Sequence, residues 1–309
     1  MLAIDSGGAM KRFLLGLAIA AALLLALEGV LWLAGFQGDP ALGDYRLRVA
    51  GELHGVPDPV RFWRLPNVEP HFTDDGARII CLADSVTVME QGRGWPDRLG
   101  PALEKAGYEQ SVQVFNAGVP EYTSWQGMQY LRHELLAQKP DLVTIQFGWN
   151  DHWPSQTGEP DHEVRMPSAR MLTVQQTLAY SRTYRLLRRW IRPVRSESGR
   201  LRVPLQQYKN NLREMIALTR QAGGKVMLIT APYLEGPWGW RNLHRQYNMA
   251  TRAVAEAEQA ALLDVVPLFL RSPNLFFEPE VDQCHFNGDG AEIIAALAAQ
   301  TIVDKGLLQ

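Results

Sequence analysis

Three residue types that together activate an oxygen nucleophile occur in two short stretches near opposite ends of the chain. Ser85 ends the run Arg78-Ile79-Ile80-Cys81-Leu82-Ala83-Asp84-Ser85, and Asp282-Gln283-Cys284-His285 sets a carboxylate three residues before an imidazole. A serine hydroxyl is a weak nucleophile until a neighbouring base removes its proton. An imidazole does this best when a carboxylate holds its tautomer and stabilises the imidazolium. Ser85, His285 and Asp282 therefore point to acyl transfer through a covalent serine. Taken singly, each also has an ordinary use: Ser85 as a helix cap, Asp282 with His285 as a surface pair.

For the two stretches to meet, the fold must gather distant segments at one edge. The apolar run before Ser85 reads as a strand, as do residues 112–116, 142–147, 226–230 and 262–266. Helical patterns fill the intervals. Residues 95–106 end at Gly107, residues 124–136 start with Ser124 as expected N-cap, and residues 208–221 stop at Gly223-Gly224. Residues 243–261 and 291–303 complete the set. Strands alternating with helices imply an α/β fold whose parallel sheet is covered on both faces, and ligands of such sheets sit outside the carboxyl ends of the strands. Ser85, Asn116-Ala117-Gly118 and Gly148-Trp149-Asn150-Asp151 follow three successive strands. The same edge would therefore collect all three.

These four blocks resemble the SGNH (GDSL-type) hydrolase family, with Ala83-Asp84-Ser85 as the first, Gly118 in the second, Gly148-Trp149-Asn150-Asp151 as the third and Asp282-Gln283-Cys284-His285 as the last. The resemblance spans about residue 76 to the C-terminus. It implies a three-layer α/β/α sandwich around a five-stranded parallel sheet, flavodoxin-like in its winding. It also implies Ser85 as nucleophile, His285 as general base and acid, and Asp282 as the group orienting His285. The oxyanion hole would be the Ser85 and Gly118 backbone N–H groups with the Asn150 side-chain amide. Ala83 departs from the family pattern, in which Gly is usual. His54, His71, His133, His152, His162 and His244 receive no chemical role.

Ahead of this domain, Lys11-Arg12 precedes residues 13–36, which are apolar throughout except for Glu28. That length suffices to cross about 30 Å of hydrocarbon at 1.5 Å per residue. The basic pair before the span predicts residues 1–12 in the cytoplasm, a signal anchor over 13–36, and the remainder on the far side of the inner membrane, periplasmic or extracellular. Residues 37–75, rich in Pro, Gly and mixed charge, read as a linker leading to a hydrolase domain over 76–309. Phe62 and Trp63 are expected either on the membrane surface or packed on that domain.

An insertion over about 152–204 is not required by the alternating pattern. It carries a helix-like stretch over 172–190, and its second half is basic: Arg182, Arg185, Arg188, Arg189, Arg192, Arg195, Arg200 and Arg202, with Tyr184, Leu186, Leu187 and Trp190 interleaved. Such a segment suits an anionic membrane surface, an acidic glycan, or simply a solvated face packed on the domain. Insertions at this edge commonly form substrate walls.

Globally, 31 Lys and Arg balance 33 Asp and Glu, so nothing favours a nucleic-acid partner. Cys81 and Cys284 flank the proposed Ser and His and read as two buried thiols beside the site, with a pairing between them left open. No cluster shows metal-ligand spacing, so neither metal nor cofactor is expected. The expectation is a membrane-anchored serine esterase acting on O-acyl groups, O-acetyl above all, of a small-molecule or envelope-carbohydrate substrate. An acyltransferase using the same triad, or a non-catalytic envelope scaffold, are the alternatives.

Overall fold

The computed structural model describes residues 6–37, 48–49, 52–53, 55–88, 94–155, 157–191, 199–234 and 241–308. Five strands form one sheet: β1 (Ala77–Ala83), β2 (Val112–Asn116), β3 (Leu142–Gln146), β4 (Lys225–Ile229) and β5 (Ala261–Leu263). Their spatial order is β2-β1-β3-β4-β5 and every pairing is parallel. The order reverses between β1 and β3, which is where open α/β sheets leave a crevice for ligands.

Both faces of the sheet are buried, and the two-residue period of a strand sorts its side chains between two cores. Ile79, Cys81 and Ala83 of β1 join one core, with Trp95, Leu99 and Leu103 of α2 (Trp95–Lys105) and Ile294, Ala298 and Ile302 of the C-terminal helix (Gly288–Asp304). Ile80 and Leu82 join the other. They pack with Leu131 of α3 (Ser124–His133), Leu212 and Met215 of the helix Leu205–Gln221, and Val254 of the helix Arg241–Ala257. The expected α/β/α layering is thereby present. The methyl group of Ala83 lies in the first core, 1% exposed, and does not line the crevice.

Local details differ from the sequence reading for physical reasons. The cap of α3 is Thr123, not Ser124: Thr123 and Gln126 close a reciprocal capping box, while Ser124 is turned to Asp151. The last strand starts at Ala261 and is only three residues long, because Val266 already opens a helical turn, Val266–Phe269. The helix expected over 172–190 is two helices, α4 (Ala169–Leu178) and α5 (Arg182–Ile191). Ser181 interrupts them by accepting the Tyr184 N–H at 3.2 Å and so capping α5.

Within the residues read as linker, Val56–Asp58 pairs antiparallel with Phe62–Arg64, and Phe62 and Trp63 are 4% and 5% exposed in the core. Arg61 lies 4.2 Å over the Tyr130 ring and 2.6 Å from Glu134, so this hairpin is part of the folded domain. At the N-terminus, α1 (Ser6–Leu33) contains a 24-residue apolar stretch, Met10–Leu33, of mean hydropathy 2.4 and none of it buried in the protein. It is long and apolar enough to cross a membrane. Arg192, Arg195 and His54 lie outside the described residues.

Candidate active site

Ser85 stands just beyond β1, at the first position of a single 3₁₀ turn, Ser85–Thr87. Asp84 builds that turn: its Oδ1 accepts the Val86 N–H at 3.0 Å and its backbone oxygen accepts Thr87 Oγ1 at 3.3 Å. Asp84 is fully buried, and Oδ2 has no hydrogen-bond partner among the described residues. Burial pushes its carboxyl up to about 6, partly offset by the Val86 N–H and the charge of His285. Asp84 thus shapes the turn that carries Ser85 and does not line the cleft.

His285 Nε2 lies 2.8 Å from Ser85 Oγ, and His285 Nδ1 lies 2.7 Å from Asp282 Oδ2. The three-residue spacing has a local cause. Asp282 Oδ1 accepts the backbone N–H groups of Cys284 at 3.1 Å and His285 at 3.0 Å, which curls the chain and leaves Oδ2 facing the ring. Half-burial alone would raise the Asp282 carboxyl. The bond to the His285 ring, its charge and the two N–H groups outweigh this and hold it far below the usual carboxylate range. An ionised Asp282 accepts a hydrogen bond from the Nδ1–H, so neutral His285 presents Nε2 as the acceptor of the Ser85 hydroxyl.

The other two strand ends also arrive, with different results. Gly148, at φ +137°, turns the chain after β3 and delivers Asn150 to the crevice, where its Nδ2 donates to the Tyr122 carbonyl at 3.0 Å. Gly118 follows β2 in a tight space: a Cβ there would lie 2.0 Å from Thr87 Oγ1 and 2.7 Å from Val88 Cγ2. Its N–H, the expected second oxyanion donor, is bonded to Asn116 Oδ1 at 3.0 Å, while Asn116 Nδ2 donates to the Thr87 carbonyl at 2.6 Å. Ser85 and Asn150 line the cleft; Gly118 does not.

The cleft over Ser85 has a volume of about 690 Å³. Trp149, Trp153, Pro154, Tyr233, His244 and Val281 make its walls largely apolar. Trp153 and Pro154 belong to the insertion expected to wall the substrate, whereas Trp149, Tyr233, His244 and Val281 have no such expectation from the sequence. No local pattern marks them, because they converge from separate segments. His244 stacks on Trp149 at 4.1 Å between ring centroids, and its Nδ1 meets His152 Nε2 at 3.1 Å. Burial pushes His152 down to about 4 and, with the charge of His152, His244 down to about 3, so this wall stays neutral.

The insertion is closed at its base beside the cleft. Arg202 N donates to the Trp153 carbonyl at 2.8 Å and Val203 N to that of Asp151 at 2.9 Å. The Arg202 guanidinium binds Asp161 at 3.1 Å, Gln126 at 2.7 Å and the Glu121 carbonyl at 2.9 Å. Both cysteines are free; burial pushes Cys81 up to about 12. Asp282, Cys284 and His285 bring one donor atom each within 4.8 Å of one another, a grouping the sequence reading did not foresee. A metal ion there would compete with Asp282 for His285 Nδ1.

The family model of the GDSL-like lipase/acylhydrolase family matches residues 81–293, more than half of the chain. No curated protein matches the sequence. Among solved structures, a lipase/acylhydrolase from Enterococcus faecalis superposes with a TM-score of 0.50 at 23% identity, covering 74% of this chain and 96% of its own. The acetylxylan esterase Axe2 from Geobacillus stearothermophilus gives 0.52 at 20%, covering 74% and 94%. LAE5, an alpha/beta hydrolase enzyme from the metagenome of Lake Arreo, gives 0.52 at 20%, covering 76% and 97%. These likenesses carry the fold. The chain belongs to the GDSL-like lipase/acylhydrolase family and is an ester hydrolase.

Proposed function

We propose that the protein is a membrane-anchored, extracytoplasmic serine esterase that removes O-acyl groups, O-acetyl above all, from carbohydrate by way of an acyl-Ser85 intermediate. The observation that carries this reading is the continuous relay from Ser85 Oγ to His285 Nε2 at 2.8 Å and from His285 Nδ1 to Asp282 at 2.7 Å, opening into the cleft.

In the first half-reaction Ser85 Oγ attacks the acyl carbon as its proton passes to His285 Nε2. The developing oxyanion takes hydrogen bonds from the Ser85 N–H and from the Asn150 hydrogen not bound to Tyr122. Collapse breaks the ester C–O bond, and His285 returns the proton to the departing alkoxide. Water then attacks the acyl carbon as its proton passes to His285; the acyl–Oγ bond breaks, His285 returns the proton to Ser85 Oγ, and the carboxylic acid leaves. Asp282 stays ionised throughout and stabilises the imidazolium. Gly118 joins the oxyanion hole only when its bond to Asn116 opens or is shared.

Three features support the substrate class and the location. Trp149 and Trp153 offer aromatic faces at the cleft, which suit the apolar face of a sugar ring. A structural neighbour is an acetylxylan esterase. The apolar helix α1 preceded by Lys11-Arg12 fits a single span with the catalytic domain outside.

The test is fluorophosphonate labelling of the full chain in detergent, comparing wild type with Ser85→Ala, alongside release of acetate from acetylated xylooligosaccharide and from p-nitrophenyl acetate. Labelling lost in Ser85→Ala together with acetate release supports the reading. Labelling without release to water, but with acyl transfer to an added glycan, replaces hydrolysis by transfer. A folded wild type that takes no label refutes the catalytic assignment.

A further inference from the structure

The one charged residue between Phe13 and Leu33 of α1, Glu28, is not left to the lipid. Glu28 Oε2 accepts Ser181 Oγ at 2.7 Å and the Thr183 N–H at 2.8 Å, and Oε1 accepts the Arg182 N–H at 2.8 Å. Glu28 therefore caps α5 from another helix, satisfying N–H groups that an isolated helix start leaves unpaired and placing negative charge at the positive end of its dipole. Two further bonds follow the same seam: Arg182 Nε donates to the Phe36 carbonyl at 3.0 Å, and Arg185 donates to that of Gln37. Glu28 lies five residues before Leu33, about 8 Å along the axis of α1 at 1.5 Å per residue. The insertion thus grips the last turns of the apolar helix and its exit, below the level at which that helix ends.

The outward side of the insertion has a matching composition. Met171, Val174 and Leu178 repeat at helical spacing on α4 and are 50%, 50% and 45% exposed; Tyr180 is 84% exposed and Leu187 49%. Among the described residues, these are five of the eleven large apolar side chains exposed outside α1. Between Glu163 and Glu197 the sequence holds eight arginines and no acidic residue, in a chain whose overall charge is −2. Apolar side chains interleaved with unopposed positive charge are the composition of helices that lie in a bilayer interface, sunk about 5–10 Å below the headgroups.

We propose that residues 169–191 form a second, interfacial membrane contact: the outer leaflet of the bilayer crossed by α1 receives Met171, Val174, Leu178 and Tyr180, the arginines meet lipid phosphates, and Glu28 locks the pair of helices to the span. This inference rests on α1 being a membrane span. Because the insertion also supplies Trp153, Pro154 and Arg202 to the cleft, it joins the span to the cleft wall by folded contacts and sets the orientation of the active site relative to the membrane.

The test uses the full chain reconstituted in vesicles of phosphatidylethanolamine and phosphatidylglycerol, with the photo-crosslinker p-benzoylphenylalanine placed singly at Leu23, Val174, Leu178 or Leu297. Lipid adducts, read by mass spectrometry, are expected at Leu23, Val174 and Leu178 and not at Leu297 on the C-terminal helix. Glu28→Ala should lose the adducts at Val174 and Leu178 while keeping that at Leu23 and the ester turnover; Glu28→Gln should fall between. Absence of the Leu23 adduct overturns the span itself. A Leu23 adduct without lipid adducts at Val174 and Leu178 overturns the interfacial contact alone, and chain-to-chain adducts there assign the face to a second copy. Unchanged adducts in Glu28→Ala overturn the lock.

Discussion

The side chain of Asn150 donates one of its two Nδ2 hydrogens to the backbone carbonyl of Tyr122 at 3.0 Å, which fixes the amide's orientation and leaves the other hydrogen for the cleft. In the proposed mechanism, an amide held in this way needs no reorientation when charge develops on the substrate. Asn150→Ala is expected to lower kcat by roughly a hundredfold, corresponding to about 3 kcal/mol, with KM and thermal midpoint little changed. Steady-state kinetics with an aryl acetate check this, and a change confined to KM would remove Asn150 from the oxyanion hole.

Asp282 uses its two oxygens for different tasks, and two substitutions separate them. Asp282→Asn keeps an oxygen for the Cys284 and His285 N–H groups but turns an N–H toward His285 Nδ1, which favours the wrong tautomer. Asp282→Ala loses the turn as well. Both should cut kcat by roughly 10³ to 10⁴. Only Asp282→Ala should also lower the thermal midpoint in calorimetry.

Gly118 is surrounded before any substrate arrives. In Gly118→Ala the new Cβ would stand 2.0 Å from Thr87 Oγ1 and 2.7 Å from Val88 Cγ2, so the turn that carries Ser85 must move. A loss of about 1–3 kcal/mol of stability is expected, together with reduced turnover. Denaturant unfolding and kinetics on the same preparation would measure both.

Asp151 is buried and its carboxyl is pushed up to about 7: burial raises it, and the bonds from the Ser124 hydroxyl and N–H only partly offset this. Between its ordinary value of 3.8 and about 7 the folded chain keeps a proton that the unfolded chain releases. The folded state binds more protons there, so this group's contribution to stability falls as pH rises through that window. Asp151→Asn, which cannot titrate, should lose less of its thermal midpoint than wild type between pH 4 and 7. The buried His152 and His244 contribute equally to both chains and cancel in the comparison.

Arg202 ties the base of the insertion to the domain, with a side chain 14% exposed against 6% for its partner Asp161. Arg202→Met would leave that carboxylate with Thr123 Oγ1 as its remaining side-chain donor and free the Glu121 backbone. A stability loss of roughly 3 kcal/mol is expected, with KM rising more than kcat falls. Parallel falls in both kinetic parameters would place Arg202 nearer the chemistry.

What the sequence determined by itself is what local patterns can encode. Alternating apolar strands and amphipathic helices specify the layered parallel sheet. The carboxyl ends of β1, β2 and β3 bring Ser85, Gly118 and Asn150 toward one edge. Asp282 and His285 meet because three residues form a single turn. Tertiary structure alone decided how those groups are engaged. It closes the Gly118 N–H with Asn116, seals Ala83 in the core, and builds the cleft wall from Trp149, Tyr233 and His244. It also gives Glu28 its partners at Ser181 and Arg182, more than 150 residues away, where the sequence showed only a charge in an apolar run. Periodicity and short motifs report the backbone path, whereas a hydrogen bond between distant segments exists only once packing has chosen which side chains face each other.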